Sequence, residues 1–203
     1  MVAWYLPSFA SPSRDLRRSL AAIRFATPDG QRFDSFALDI ESSIVRSVPL
    51  RNAHLLALGR RLRAAAGPDY ALGAIIPSPV GMQLLPRYWP GFPYAQLART
   101  FDVFLPMDYY THRVHGAAAV YAYTTRGMTI IRERTGVPDL PIHVIGGLAG
   151  ATTAAEARSF VVAVGDCGAA GAGLYDFDET TSSQWLTLES LETPSVAASA
   201  CSD

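Results

Sequence analysis

Lysine is missing from this chain altogether, so all 17 of its basic residues are arginine. Beside the abundance of alanine, that marks a coding bias and carries no chemistry. Cysteine is nearly missing too. Cys167 follows an apolar run and Cys201 lies in a small-residue tail, too few for a disulfide framework or a zinc site. They read as two unrelated free thiols. No stretch approaches the roughly 20 apolar residues that span a bilayer, so no membrane partner is expected. A basic segment ahead of an apolar run is also lacking at the N-terminus, and no signal peptide is visible. Charge of one sign is lacking as well: the formal net charge is −1, which offers nothing to nucleic acid or an acidic membrane. No G-x-G-x-x-G or Walker loop follows a strand-like run, no G-x-S-x-G elbow stands out, and no cofactor is expected.

What is present is a rhythm. Residues 2–6, 33–40, 70–76, 101–107, 142–145 and 171–177 are short apolar runs, bounded by Gly, Pro or Asp, and read as strands. Between them 13–25, 51–66, 117–134 and 153–165 carry helical spacing. Thr153 with Glu156 has the form of a capping box, and Gly67 and Gly136 stand where helices stop. Strand alternating with helix means α/β architecture with a parallel sheet. Polar residues gather at the C-terminal ends of the strands: Asp39 with Glu41, Ser78, Asp108 with Tyr109, and Tyr175 with Asp176. Enzymes of the (β/α)₈ TIM-barrel type build their sites on that face. The expectation is such a barrel over residues 1–192, with six of its eight β/α units present, followed by a disordered tail over 193–203.

The stretch from Phe33 to Ser42 is the most informative. Side chains alternate along a strand, so Phe36, Leu38 and Ile40 make an apolar face for the helices. Ser35, Ala37, Asp39 and Glu41 make the other, small at first and acidic at its end. The two carboxylates would open on the active-site face, with Cα atoms about 6.6 Å apart. Glycoside cleavage needs a carboxylic acid that protonates the leaving oxygen, and a neighbouring carboxylate helps it keep its proton. Glu41, the longer side chain at the exposed end, is the candidate acid. Asp39, one step deeper, would hold a proton or orient a substrate group.

At these residues the chain resembles family 18 glycoside hydrolases, the chitinases and their relatives. That family carries D-G-x-D-x-D-x-E at the end of its fourth barrel strand, and the aligned run here is Asp34 to Glu41. Asp34, Asp39 and Glu41 match, while Ser35 replaces the Gly and Ala37 the middle Asp. Two strands on, the family has M-x-Y-D. Here Met107 and Tyr109 match, and Tyr110 stands at the Asp. The alignment makes the six strands numbers three to eight. The resemblance implies Glu41 as general acid, the substrate's own N-acetyl group as nucleophile, and Asp39 and Tyr109 as the groups that orient and stabilise it. Asp34, Tyr5, Met107, Asp108, Tyr110, Tyr175 and Asp176 are the candidate substrate-binding residues, with Tyr175 where the family has a Trp. Family 25 lysozyme-type barrels also use a strand-end D-x-E, so cell-wall glycan is a second substrate.

Three functions stay open: a glycosidase, a carbohydrate-binding barrel without turnover, and a barrel completed by an upstream segment or a partner chain, including a second copy. A polysaccharide substrate suggests export to the cell envelope or beyond, and without an export signal the chain would be cytoplasmic. His112-x-x-His115 has no carboxylate ligand near it in sequence and reads as loop, so no metal is expected. Trp4, Tyr5, Tyr88, Trp89 and Tyr94 lie near strand ends, where sugar stacking or simple packing would suit them. The Gly146-Gly147 pair could form a turn that takes a phosphate.

Overall fold

The structure is a computed structural model that describes residues 2–191 and residue 201. Each apolar run becomes a strand, trimmed or extended by a few residues: β1 Val2–Tyr5, β2 Ser35–Asp39, β3 Ala71–Pro77, β4 Val103–Met107, β5 His143–Leu148 and β6 Gly171–Tyr175. The expected helices follow as α1 Pro12–Ile23, α2 Val48–Ala66, α5 Ala117–Thr135 and α6 Ala154–Asp166. Three shorter helices were not foreseen: α3 Pro79–Leu84, α4 Tyr94–Leu97 and α7 Ser182–Glu189. The chain is thus an α/β protein whose six strands run parallel, in chain order, and alternate with helices. The expected tail lies outside the described residues except for Cys201.

Two compact units divide the chain. The first joins Met1–Ile76 to Pro86–Phe104, and the second joins Pro77–Leu85 to Leu105–Asp203. In the first unit, register sets Phe36 beside Leu72 and Leu38 beside Ala74. All four are wholly buried. Leu55, Leu58 and Leu62 form a buried stripe along α2, at the spacing of one helix face. Burying each such leucine contributes about 2 kcal/mol. The opposite face of β2 is lined by small residues, Ser35 beside Ala71 and Ala37 beside Gly73, with Val2 and Trp4 of β1 on their other side.

In the second unit, α5 and α6 pack against one another. The capping box of α6 is complete, Thr153 accepting from the Glu156 amide and Glu156 from the Thr153 amide. Gly136 ends α5 in the left-handed conformation at φ 71°. Two expectations are overturned here. Cys167 and Cys201 are not free thiols but a disulfide, their Cα atoms 4.8 Å apart, within the span that such a bond needs. A separation of 34 residues across a helix cap and a tail gives no sequence hint of that meeting. The glycine pair forms no turn either. Gly146 and Gly147 lie inside β5, where a Cβ would stand 2.7 Å from the Phe160 ring and 2.6 Å from the Tyr110 ring respectively. Those aromatics occupy the space beside the two glycines.

Candidate functional site

The carboxylate pair belongs to the first unit. β2 ends at Asp39, and the Ile40 amide adds one further hydrogen bond, to the Ile75 carbonyl at 2.7 Å. Glu41 is therefore the first residue clear of the sheet, and it is exposed. Asp39 is only 9% exposed, and its Oδ1 is buried with no hydrogen-bond partner. Burial disfavours the charged form, and the Glu41 carboxylate adds like-charge repulsion, so the Asp39 carboxyl is pushed up to about 7. The deeper carboxyl is thus the one that the fold prepares to hold a proton at neutral pH.

Tyr88 completes this end of the strand. Its hydroxyl donates to the Glu41 carbonyl at 2.8 Å, and burial, followed by the charge of Glu41, raises its pKa and keeps it protonated. Sequence reasoning grouped Tyr88 with stray aromatics, because nothing in its neighbourhood in the chain ties it to residue 41. Asp34, by contrast, precedes the first residue of β2 and is exposed. Five residues of extended chain set its Cα roughly 16 Å from that of Asp39, so the strand holds it away from the pair. Tyr5 ends β1 with its hydroxyl bound to Asp15 Oδ1 at 2.9 Å. Asp15 is fully buried and also accepts from the Phe9 amide at 2.9 Å. Asp15 was missed in the sequence, where one acidic residue in the first turn of a helix looks like an ordinary partner for the helix dipole.

Ala37 stands where family 18 has its middle carboxylate. It is 2% exposed and sits in register between Trp4 and Gly73. A carboxylate there would be buried among apolar groups at a cost of several kcal/mol.

The remaining candidates belong to the second unit. Met107 closes β4 and is buried beside Ile145. Asp108 is buried too, its Oδ2 accepting from Thr124 of α5 at 2.8 Å, and burial pushes its carboxyl up to about 7. Tyr109 takes a left-handed conformation, φ 37°, unusual for a residue with a Cβ. Its ring meets that of Tyr175 edge-on, with centroids 5.5 Å apart. Tyr110 is wholly buried, packed on Phe160 with its hydroxyl 3.2 Å from Thr152 Oγ1. Asp176 accepts from the Glu179 amide at 3.3 Å in the turn after β6. His112 lies near Tyr109, whereas His115 is exposed and 3.9 Å from Glu156. Within this unit the structure brings Tyr109 and Tyr175 together and sends Asp108 and Tyr110 into the interior.

The arrangement at Asp39 and Glu41 can do acid–base chemistry. One carboxyl is sheltered and has its pKa raised to about 7, the other is exposed, and a phenol is bonded to the backbone carbonyl of the exposed one. No protein-family model, curated protein or solved structure matches the chain.

Proposed function

We propose that the chain is the greater part of a (β/α)₈-type barrel that hydrolyses a β-linked N-acetylhexosamine polymer, with Glu41 as general acid. The observation that carries this reading is the buried Asp39 carboxyl, its Oδ1 without a partner, one step along the strand from an exposed Glu41. Glu41 gives its proton to the glycosidic oxygen as the bond to the anomeric carbon breaks. The acetamido oxygen of the same sugar closes on that carbon, and Asp39 holds the acetamido N–H and offsets the positive charge that develops. Water then opens the ring intermediate, passing a proton back to Glu41.

The test is product release from N-acetylglucosamine oligomers and peptidoglycan fragments by the wild type and by Glu41→Gln, with circular dichroism confirming that both are folded. The expected result is cleavage by the wild type and a loss of about 100-fold or more in the variant. Equal cleavage by the two would sink Glu41 as the acid.

A second reading, a carbohydrate-binding barrel without turnover, draws on Ala37 and Tyr110. Both fill positions where the resembled family has carboxylates, and both are core side chains. Saturable oligosaccharide binding with no product over days of incubation would favour it.

A further inference from the structure

Arg51 is a buried cation of the first unit. It lies on the first turn of α2, at the head of the stripe that continues through Leu55, Leu58 and Leu62, and is 2% exposed. Among the described residues no carboxylate lies within ion-pair distance of it, and its Nε is buried without a partner. A guanidinium in such a place costs several kcal/mol unless its contacts are good. Its hydrogen bond and its ring contact both run to one loop. The guanidinium stacks on the Trp89 indole, 3.8 Å from the ring centroid, and donates to the Tyr88 carbonyl at 3.2 Å. The next residue, Asn52, grips the same loop twice. It accepts from the Trp89 indole N–H at 2.7 Å and donates to the Gly91 carbonyl at 3.0 Å. Trp89 is further wedged by the edges of Phe9 and Phe92.

Two consecutive residues of one helix therefore fix the chain at the Tyr88 carbonyl and through the three residues after it. What that rigidity delivers is one hydroxyl, aimed at the carbonyl of Glu41. Glu41 stands beyond the last ladder bond of β2, and among the described residues the next one, Ser42, is tied only by its hydroxyl, at 3.4 Å from the Ser8 carbonyl.

We propose that Tyr88 is a positioning residue of the carboxylate site, presented by the Arg51–Asn52–Trp89 clamp, and that its hydroxyl fixes the Glu41 backbone and so sets the spacing of the Glu41 and Asp39 carboxylates. The role rests on the reading of that pair as a glycosidase site. Glu41 held close raises the proton affinity of Asp39, and Glu41 released lowers it. Besides Glu41, the titratable group that interacts with Asp39 in this unit is Tyr88 on the loop, and Arg51 on α2 interacts in turn with Tyr88. Its register partner on β3 is Ile75, and the one titratable residue of β1, Tyr5, is committed to Asp15.

The experiment follows the Asp39 carboxyl by ¹³C NMR across pH in the full chain, assigned with Asp39→Asn, for wild type, Tyr88→Phe and Arg51→Met. Cleavage of N-acetylglucosamine oligomers is measured on the same samples. Tyr88→Phe keeps the ring and removes only the hydroxyl, so its melting temperature should stay within about 2 °C of the wild type. The Asp39 midpoint is expected to fall by about half a pH unit or more. Turnover is expected to fall about 10- to 100-fold with KM within about twofold, as misplacement of a reacting group predicts. An unchanged midpoint in Tyr88→Phe, with the wild-type pH–rate profile, overturns the role. If the wild type cleaves nothing while the midpoint still falls in Tyr88→Phe, the glycosidase reading fails and the positioning role stands. Arg51→Met, if folded, should reproduce the Tyr88→Phe shift.

Discussion

Burial keeps a proton on a carboxyl group into the neutral range, and it does so at both Asp39 and Asp108. The two sites differ in what the proton is for. Asp108 is sealed against α5 with Thr124 donating to it, so its proton serves the interior alone. Asp39 ends a strand beside an exposed Glu41, so its protonation can answer to what lies outside the core. In the proposed reaction Asp39 accepts from the acetamido N–H and offsets the developing positive charge as a carboxylate, so cleavage should rise as pH rises towards about 7 and Asp39 ionises. A pH–rate profile flat from 5 to 9 would count against that role. Asp108→Asn, isosteric and without the charge, should leave the profile in place and raise stability at pH 8, read by urea denaturation. The gain is bounded at about 4 kcal/mol by the displacement of its ionisation.

Among the elements, α6 shows how one polar side chain can tie two helix starts together. Glu156 closes the capping box at Thr153 and also accepts from the Gly116 amide at 2.8 Å, the residue that caps α5. These bonds, the one from Gly116 first, hold its carboxyl below the ordinary range. Its contribution is present at neutral pH and is lost as pH falls through the acid range. Glu156→Ala should cost about 2 kcal/mol at pH 7 and much less at pH 3, measured by thermal unfolding at both. Strands, long helices and this box were legible in the sequence because periodicity and cap chemistry are local. The short helices α3 and α4 were not, since four to six residues show no period. Arg51 was legible in principle: it falls on the buried stripe of α2, and only its charge argued against reading it as core. The approach of Tyr88 to Glu41, across 47 residues, and the pairing of Cys167 with Cys201 are tertiary facts with no local sign. At the candidate site the sequence therefore yielded the two carboxylates, and the structure added the residue that holds one of them.

For the molecule as a whole, the two raised carboxyls act in the same direction on stability. Each is protonated in the folded chain and ionised in the unfolded one between about pH 4 and 7, so unfolding releases protons across that window. Stability is greatest at the acid end of the window, falls as pH rises through it, and levels off above about 7. Chemical denaturation at pH 5, 6, 7 and 8 should trace that decline, and Asp108→Asn should remove about half of it. The disulfide adds a separate contribution. Cys201→Ser opens a 34-residue loop and should cost about 2–4 kcal/mol, with reducing agent destabilising the wild type and leaving the variant unchanged. At the other end of the chain, β1 pairs with β2 alone among the recorded pairings, and Val2, Trp4 and Leu6 are exposed along it. An apolar edge invites another strand. Light scattering should show self-association rising with concentration, and Trp4→Lys should suppress it.

The glycine pair of β5 has a consequence for anyone diversifying this protein by random mutagenesis. Gly146 and Gly147 face opposite ways along the strand and are filled in by Phe160 and Tyr110, so any side chain at either position collides with a ring that has nowhere to retreat. Tyr110 in turn is the next residue after Tyr109, which takes the left-handed conformation. A library should leave these two codons untouched and spend its variation on exposed positions such as Trp4, Tyr175 and Phe177, where new side chains meet solvent and not the core.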